Sequence, residues 1–269
     1  MIRLSSQDKP FFPGDYTEKL SMVRELGFDG FEADGRMLLN DFDQLAGAVK
    51  TTGVPVTSIC GGYRGWIGDF DADRRAAAIE DISDILRRAE ALGASGIVVP
   101  AAWGMYSLRL PPLTRKRPQE EDEAVLLDSL SRLERVCDET GRKVFLEPLN
   151  RYEDYMLNLL SDAAALIDKG GFRHVKITAD FYHMNIEENS IPESLVRFAS
   201  YLGHIHIGDS QRYQPGSGHL DFVSGFRALG QVGFSGVFAF EHRVLGEDQA
   251  QRYREGVLYI RDCMRKAGL

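Results

Sequence analysis

Short apolar runs and longer amphipathic stretches alternate along the whole chain. The run Val54–Cys60, for example, precedes the stretch Ala72–Leu92, in which apolar residues recur every three to four positions. The predicted strands are Ile2–Ser5, Gly30–Ala33, Val54–Cys60, Gly96–Pro100, Lys143–Glu147, Val175–Asp180, His204–Ile207 and Val237–Glu241. The predicted helices are Tyr16–Leu26, Phe42–Thr51, Ala72–Leu92, Gln119–Thr140, Asp162–Lys169, Pro192–Leu202, Phe222–Gln231 and Asp248–Lys266.

This alternation predicts parallel strands that are joined by helical crossovers. Eight strand–helix units in 269 residues, with no linker-like break between them, indicate one α/β domain over residues 1–269, a single (β/α)8 TIM barrel. The main rival, a doubly wound open sheet, would normally carry a glycine-rich phosphate turn after its first strand. The segment SSQDKPFFPG that follows the first strand lacks that pattern.

The bulk composition narrows the classes of partner. A formal net charge of −8 disfavours nucleic acid or an anionic membrane, since both attract basic surfaces. Three widely spaced cysteines make a disulfide framework improbable and favour a reducing, cytoplasmic location. No apolar run is long enough to predict a signal peptide or a membrane span.

Four residues that can bind a metal fall at or near the ends of the last four predicted strands. They are Glu147, Asp180, His206 and Glu241. Taken singly, a strand-end carboxylate is more commonly a helix cap or a surface charge. Because the carboxyl ends of barrel strands share one face, the four together predict a site for one divalent ion. The oxygen-rich set favours Mn²⁺, with Mg²⁺ and Co²⁺ as alternatives.

Other polar residues also point inward in the period-two pattern. Arg212 is expected to neutralise the residual negative charge of the site. Lys176 and Glu32 are expected to pair with one another or with His204, which is assigned a structural role because an unpaired buried charge is costly. His174 and His219 are predicted to lie at the surface or in loops.

Four segments of the second half resemble a known family. LEPLNRYE, ADFYHMNIEE, GHIHIGDSQRYQPGSGHLDF and FAFEH are similar to the xylose-isomerase-like barrel superfamily, and within it to the D-tagatose 3-epimerase group of ketose epimerases. The resemblance covers Val144–Glu241, whereas the earlier half shows only the general barrel pattern. It implies that Glu147, Asp180, His206 and Glu241 bind one metal ion. It also implies that His183 and Arg212 bind substrate, and that Glu153 supports the histidine.

The residues fit epimerisation at a carbon beside a ketone. Glu147 and Glu241 come from strands on different sides of the barrel and could act on opposite faces of a planar enediolate. His183 and Arg212 would donate hydrogen bonds to the developing oxyanion. We expect C3 epimerisation of a ketose or keto-sugar acid. The alternatives are an aldose–ketose isomerase of the hydroxypyruvate isomerase type, a lyase acting on a 3-keto sugar, a DNA-repair nuclease of the endonuclease IV type, and an inactive sugar-binding protein.

Two loops are expected to cover the site. Trp66 lies in the loop Gly61–Asp71 and Trp103 in the loop Ala101–Gln119, and both are candidates for packing on a sugar face. The second loop also carries a basic run, Arg109, Arg115, Lys116 and Arg117, for which a solvated loop is favoured over recognition of a substrate carboxylate. Because related enzymes often form dimers or tetramers, a homodimer or homotetramer is expected.

Overall fold

The computed structural model describes residues 2–105, 115–244 and 246–269. Its strands pair in sequence order, all parallel, and the first strand pairs with the last, so the sheet is a closed barrel. The strands are β1 (Ile2–Gln7), β2 (Gly30–Ala33), β3 (Val56–Cys60), β4 (Gly96–Pro100), β5 (Lys143–Glu147), β6 (Val175–Asp180), β7 (Leu202–Ile207) and β8 (Gly236–Phe240). The predicted (β/α)8 barrel is confirmed.

Helices lie between consecutive strands and cover the outside of the barrel. The α-helices of the described residues are α1 (Tyr16–Glu25), α2 (Gly35–Asn40), α3 (Phe42–Thr52), α4 (Ala72–Leu92), α5 (Gln119–Thr140), α6 (Leu160–Gly170), α7 (Phe181–Glu187), α8 (Ile191–Arg197), α9 (Phe222–Gln231) and α10 (Gln249–Ala267). The bounds predicted for α4, α5 and α9 are confirmed. Of the helices in the described residues, none is both long and apolar enough to cross a membrane.

The sequence analysis predicts neither α2 nor α7, and both begin at an aspartate that ends a loop or strand. Asp34 accepts a hydrogen bond from the backbone N–H of Arg36, and Asp180 accepts from the N–H groups of Tyr182 and His183. Such N-caps satisfy donors that a helix start otherwise leaves unpaired. The cap at Asp180 therefore places His183 in the first turn of α7, directly above the end of β6.

The predicted helix Pro192–Leu202 is wrong at its C-terminal end. Helix α8 stops at Arg197, a 3₁₀ turn covers Ala199–Tyr201, and β7 already begins at Leu202. Gly203 directly follows the predicted helix, where a glycine commonly ends a helix, but it lies inside β7. A Cβ at this glycine would come within 2.7 Å of Lys176 Cβ and of the Phe145 ring, so the residue is a packing requirement of the barrel interior and not a helix cap.

The two faces of β7 carry different side chains, apolar on one and histidines on the other, as the strand alternation predicts. Ile205 and Ile207 of β7 are fully buried in the core, while His204 stacks on Phe145 with ring centroids 5.2 Å apart. The expected pairing of Lys176 with Glu32 or His204 is wrong, because its Nζ donates to the carbonyl of Ser200. Lys176 enters the barrel at its N-terminal end, where its ammonium reaches the surface.

Candidate active site

Four candidate metal ligands meet at the C-terminal end of the barrel. Glu147 and Asp180 are the last residues of β5 and β6, His206 is one residue from the end of β7, and Glu241 follows β8 directly. The register between β6 and β7 sets Asp180 beside His206. One donor atom from each of the four lies within 4.8 Å of all the others. Consecutive strand ends therefore converge as the sequence pattern predicts.

Three carboxylates crowd one nitrogen in this cluster. Nδ1 of His206 lies 2.6 Å from Glu241 Oε2, 3.0 Å from Glu147 Oε1 and 3.7 Å from Asp180 Oδ2. A single N–H can serve only one of these oxygens well, and buried carboxylates without a cation are costly. A divalent ion would satisfy all four donor atoms, and the oxygen-rich set matches Mn²⁺ or Mg²⁺. The residues present therefore fit a divalent metal ion.

The guanidinium of Arg212 closes the other side of the cluster. It hydrogen-bonds to Asp180 Oδ2, lies 2.7 Å from Glu241 Oε2 and packs 4.8 Å over the ring of Tyr182. Arg212 has a φ of +60°, in the left-handed region that non-glycine residues rarely adopt. A turn holds it there, because its N–H donates to the carbonyl of Asp209 at 2.8 Å. Backbone strain is thus accepted at the residue that reaches the carboxylates.

The carboxyl groups of the cluster differ in their electrostatic surroundings. Burial raises the pKa of Glu147 to about 7. Burial also acts to raise the pKa of Asp180 and of Glu241, but Arg212 and the neighbouring histidines together outweigh it and hold both pKa values below the usual range. For His206, burial favours the neutral ring, yet the surrounding carboxylates raise its pKa well above the ordinary value. The cluster thus strongly attracts positive charge.

A chain of hydrogen bonds connects Trp103, in the second lid loop, to His183. Trp103 Nε1 donates to Glu153 Oε2 at 2.9 Å, and Asn150 Nδ2 donates to Glu153 Oε1 at 3.0 Å. The backbone N–H of Asn150 donates to His183 Nδ1 at 3.1 Å. Because a backbone N–H cannot accept, Nδ1 is the acceptor and Nε2 carries the hydrogen of the neutral ring. Burial lowers the pKa of His183, which favours that neutral form.

Asn150 is a site residue that the sequence analysis missed. The support expected from Glu153 reaches His183 through the Asn150 amide, whose Nδ2 also lies 2.8 Å from His183 Nδ1. Strand periodicity carries no information about Asn150, because it lies in the loop after β5. The one available signal was its place inside the LEPLNRYE segment.

A cleft of about 510 Å³ opens above the cluster. The two candidate lid tryptophans, Trp66 and Trp103, occupy different positions relative to this cleft. Trp103 lines the cleft and is 55% exposed. Trp66 is half-buried and meets Trp103 edge-on, with ring centroids 6.3 Å apart, so it packs behind Trp103. Further cleft residues are Lys9, Tyr152, Glu153, Tyr182, Gln211, Arg212, Tyr213, Glu241, His242 and Arg243.

Two arginines of the basic run in the second lid loop contact neighbouring segments of the protein. Arg117 donates to Asp122 at 2.6 Å and to the carbonyl of Gly68 at 2.8 Å, and Arg115 packs 5.2 Å over the ring of Tyr155. The expectation of a solvated loop is therefore wrong for Arg117, whose side chain is only 15% exposed. Arg109, the first member of the run, lies outside the described residues.

A second acidic–histidine group lies far from the barrel mouth. Glu134 and Asp138 on α5 approach His174 before β6, but Arg173 already pairs with Asp138 at 2.7 Å. Glu134 accepts hydrogen bonds from the backbone N–H groups of Arg173 and His174. These contacts give the group a structural role, because they hold the connection between α6 and β6 against α5. His219 is exposed in a loop, as predicted.

The loop that carries Asn150 and Glu153 is anchored by Asp154. This carboxyl group is 1% exposed and accepts from the backbone N–H of Tyr155 at 2.7 Å. Burial raises its pKa from 3.8 to about 7, so the folded state holds the proton more tightly than the unfolded chain. Its contribution to stability is therefore complete below about pH 4 and is lost as the pH rises through 7.

Replacing this group should remove that pH dependence. In Asp154→Asn the side chain stays neutral, so between pH 5 and pH 8 the wild type should lose about 2–3 kcal/mol of unfolding free energy relative to the variant. Urea unfolding of both proteins at the two pH values measures this difference. If the difference in unfolding free energy between wild type and variant is the same at pH 5 and pH 8, Asp154 is ionised in the folded state at both pH values.

Comparisons with known proteins find related sugar epimerases. The chain is 47% identical over 262 residues to the 3-dehydro-D-guloside 4-epimerase of Escherichia coli K12, covering 97% of this chain and 100% of that protein. It is 28% identical over 246 residues to the D-psicose 3-epimerase of Enterocloster bolteae, covering 86% of this chain and 78% of that protein.

The solved structures give the same picture. The 3-keto-D-glucoside 4-epimerase of Escherichia coli, in its apo form, superposes with a TM-score of 0.95 at 46% identity, covering 98% of this chain and 100% of that chain. A D-psicose 3-epimerase of Clostridium cellulolyticum H10 shares the fold, with a TM-score of 0.83 at 23% identity and coverage of 97% and 99%. Residues 20–263 match the xylose isomerase-like TIM barrel family. The chain therefore belongs to the xylose isomerase-like TIM barrel family.

Proposed function

We propose that this protein is a keto-sugar epimerase, an isomerase that inverts the carbon beside the ketone of a 3-keto glycoside, at C4. The observation that carries the proposal is the 47% identity to a 3-dehydro-D-guloside 4-epimerase, which extends over 97% of the chain and so includes the loops around the cleft. The C3 epimerisation of a ketose, expected from the sequence, is the second candidate. It is supported by the lower identity of 28% to a D-psicose 3-epimerase.

A neutral sugar is favoured over a keto-sugar acid. Arg115 and Arg117 of the basic run face Asp122, Gly68 and the ring of Tyr155, and Lys116 lies over the ring of Phe70. These contacts direct the three side chains away from a substrate carboxylate in the cleft. Arg212, at the floor of the cleft, is already engaged by Asp180 and Glu241. With a divalent ion bound, the ion and Arg212 together would balance the three carboxylates, which leaves no surplus positive charge for a substrate carboxylate.

The candidate metal ligands are Glu147, Asp180, His206 and Glu241, with Mn²⁺ as the favoured ion. When bound, a divalent ion would act as a Lewis acid that stabilises negative charge on the substrate oxygens next to the reacting carbon. The ketone makes the hydrogen on that carbon weakly acidic, and this stabilisation makes its removal easier.

The two glutamates supply the proton transfers. One carboxylate removes the proton from C4, which leaves a planar enediolate across C3 and C4. The other glutamate, in its protonated form, returns a proton to the opposite face, and the configuration at C4 is inverted. Glu147 comes from β5 and Glu241 from the end of β8, so they approach from different sides of the barrel. The roles exchange when the reaction runs in the other direction.

The neighbouring donors hold the developing oxyanion. Nε2–H of His183 and the guanidinium of Arg212 are preorganised by Asn150 and by the turn at Asp209, and they therefore lose little freedom when charge develops. Trp103 would cover the sugar and exclude water from the enediolate. We further propose that the protein is cytoplasmic and forms a homodimer or homotetramer. Light scattering of the purified protein would test the oligomeric state.

A substrate panel tests the proposed reaction. The purified protein, loaded with Mn²⁺, is incubated in D₂O with 3-keto glycosides, ketoses and keto-sugar acids, and the products are followed by NMR. We expect deuterium at C4 of a 3-keto glycoside and formation of its C4 epimer. Deuterium at C3 of a ketose alone would favour the second candidate, and loss of the aglycone would indicate a lyase.

Asn150 should affect this reaction through His183. In Asn150→Ala the amide bridge between Glu153 and His183 is lost, although the backbone donor to Nδ1 remains. Loss of one hydrogen bond in a buried network, about 1–1.5 kcal/mol, predicts a fall in kcat/KM of about 10-fold. Steady-state kinetics measure it, with Glu255→Gln on the exposed face of α10 as the control. An unaltered kcat/KM would show that the backbone donor alone fixes the ring.

A further inference from the structure

A buried carboxylate lies on the side of His206 that faces away from the cluster. Glu32 Oε1 is 3.0 Å from His206 Nε2, and Glu32 Oε2 is 2.8 Å from His204 Nε2. The hydroxyl of Ser58 donates to Oε2 at 2.7 Å. All four residues are 0% exposed. One carboxylate thus joins β2, β3 and β7 below the candidate metal site.

The contacts of its two nitrogens determine which hydrogen His206 keeps when a metal ion binds. An ionised carboxylate only accepts, so Nε2 of His206 must carry the hydrogen that faces Glu32. Nδ1 faces Glu147, Asp180 and Glu241, and without a cation it would carry a hydrogen as well. A metal ion in place of this second hydrogen would leave a neutral ring with the lone pair of Nδ1 directed at the ion. That is the arrangement in which the ring can act as a metal ligand.

The backbone of β2 is shaped to place Glu32 in this position. Phe31 pairs with Val56 whereas Glu32 pairs with Ser58, so the register shifts by one residue between Phe31 and Glu32. Irregularities of this kind re-aim a side chain within a sheet. Here the shift sets the Glu32 carboxylate beside the hydroxyl that supports it and beneath the two imidazoles of β7.

We propose that Glu32 is a positioning residue for the metal site: it holds His206 with Nε2 protonated and Nδ1 directed at the ion. Ser58 donates a hydrogen bond to the second oxygen of Glu32, and His204 Nε2 lies 2.8 Å from the same oxygen, so both restrict rotation of the carboxylate away from His206. The metal ion belongs to the function proposed above, and this inference rests on that site. It assigns to Glu32 and His204 a role in metal affinity that goes beyond pairing a buried charge.

Metal titration of variants tests the role of Glu32. Glu32→Gln keeps the shape but removes the charge, and we expect the Kd for Mn²⁺ to rise about 10–100-fold in calorimetry on metal-stripped protein. Ser58→Ala is the graded comparison: it removes one hydrogen bond from Glu32 but keeps the charge of the carboxylate, so the Kd should rise by less than about threefold. Circular dichroism of metal-free Glu32→Gln checks that the variant is folded before the titration, because removing one partner of a buried ionic network lowers stability.

Two outcomes would overturn the proposal. One is a wild-type Mn²⁺ affinity in folded Glu32→Gln. The other needs no variant: in ¹⁵N-histidine-labelled wild type loaded with diamagnetic Mg²⁺, long-range ¹H–¹⁵N spectra should show the hydrogen of His206 on Nε2, and a hydrogen on Nδ1 would contradict the assignment. Neither measurement uses a sugar, so failure of the proposed reaction would be seen separately, in the substrate panel.

Discussion

Glu147→Gln and Glu241→Gln are each expected to lower kcat for epimerisation by about 10²–10⁴-fold. Glutamine keeps the size of the side chain and one oxygen for a metal ion, but it cannot take up a proton. Because inversion needs one proton transfer on each face, the loss of either glutamate blocks the overall reaction. Steady-state assays on the epimer pair measure kcat, with Glu255→Gln on the exposed face of α10 as the control.

The two variants should differ in hydrogen exchange. With Glu147 replaced, Glu241 can still remove and return the proton on its own face, so one epimer should exchange with D₂O without being inverted. With Glu241 replaced, the other epimer should exchange. NMR of each pure epimer in D₂O, with each variant, separates the cases. Exchange of the same epimer in both variants would mean that the two glutamates do not serve opposite faces.

The architecture was accessible from the sequence because it depends on patterns that repeat locally. Buried strands and amphipathic helices alternate eight times, and the period-two alternation of β7 correctly placed His204 and His206 inside the barrel. The cluster was accessible for the same reason: parallel barrel strands end on one face, so strand-end residues must meet there. At Gly203 the local pattern gave a wrong prediction, because this glycine packs inside β7 and does not end a helix.

The parts that could not be predicted depend on contacts between distant segments. Asn150 touches His183 across 33 positions of sequence, and Glu32 touches His206 across 174. Nothing in the neighbourhood of either residue specifies its partner, although both contacts set the tautomer of a candidate site histidine. Asp180 shows a related limit, because it caps α7 through Oδ1 while Oδ2 faces the cluster. The helix-cap and metal-ligand interpretations of a strand-end aspartate both fit it.

Removal of the divalent ion with a chelator is expected to lower kcat by about 10³-fold or more, since the ion would supply several kcal/mol of charge stabilisation next to the reacting carbon. Without it, the oxygens of Glu147 and Glu241 lie 3.0 Å and 2.6 Å from Nδ1 of His206, with too few donors to serve them. Added Mn²⁺ should restore activity at one ion per chain, and it should raise stability by about 2.7 kcal/mol at a concentration of 100 times Kd.

Two variants make the metal experiment specific to the barrel mouth. Asp180→Asn removes one candidate ligand charge, so Mn²⁺ should bind more weakly and the thermal midpoint should rise less when Mn²⁺ is added. His174→Asn disrupts the separate group of Glu134, Asp138 and His174, and it should leave the stoichiometry at one ion per chain. Full activity in stripped protein would contradict the metal assignment, whereas loss of ion binding in His174→Asn would move the site to that surface group.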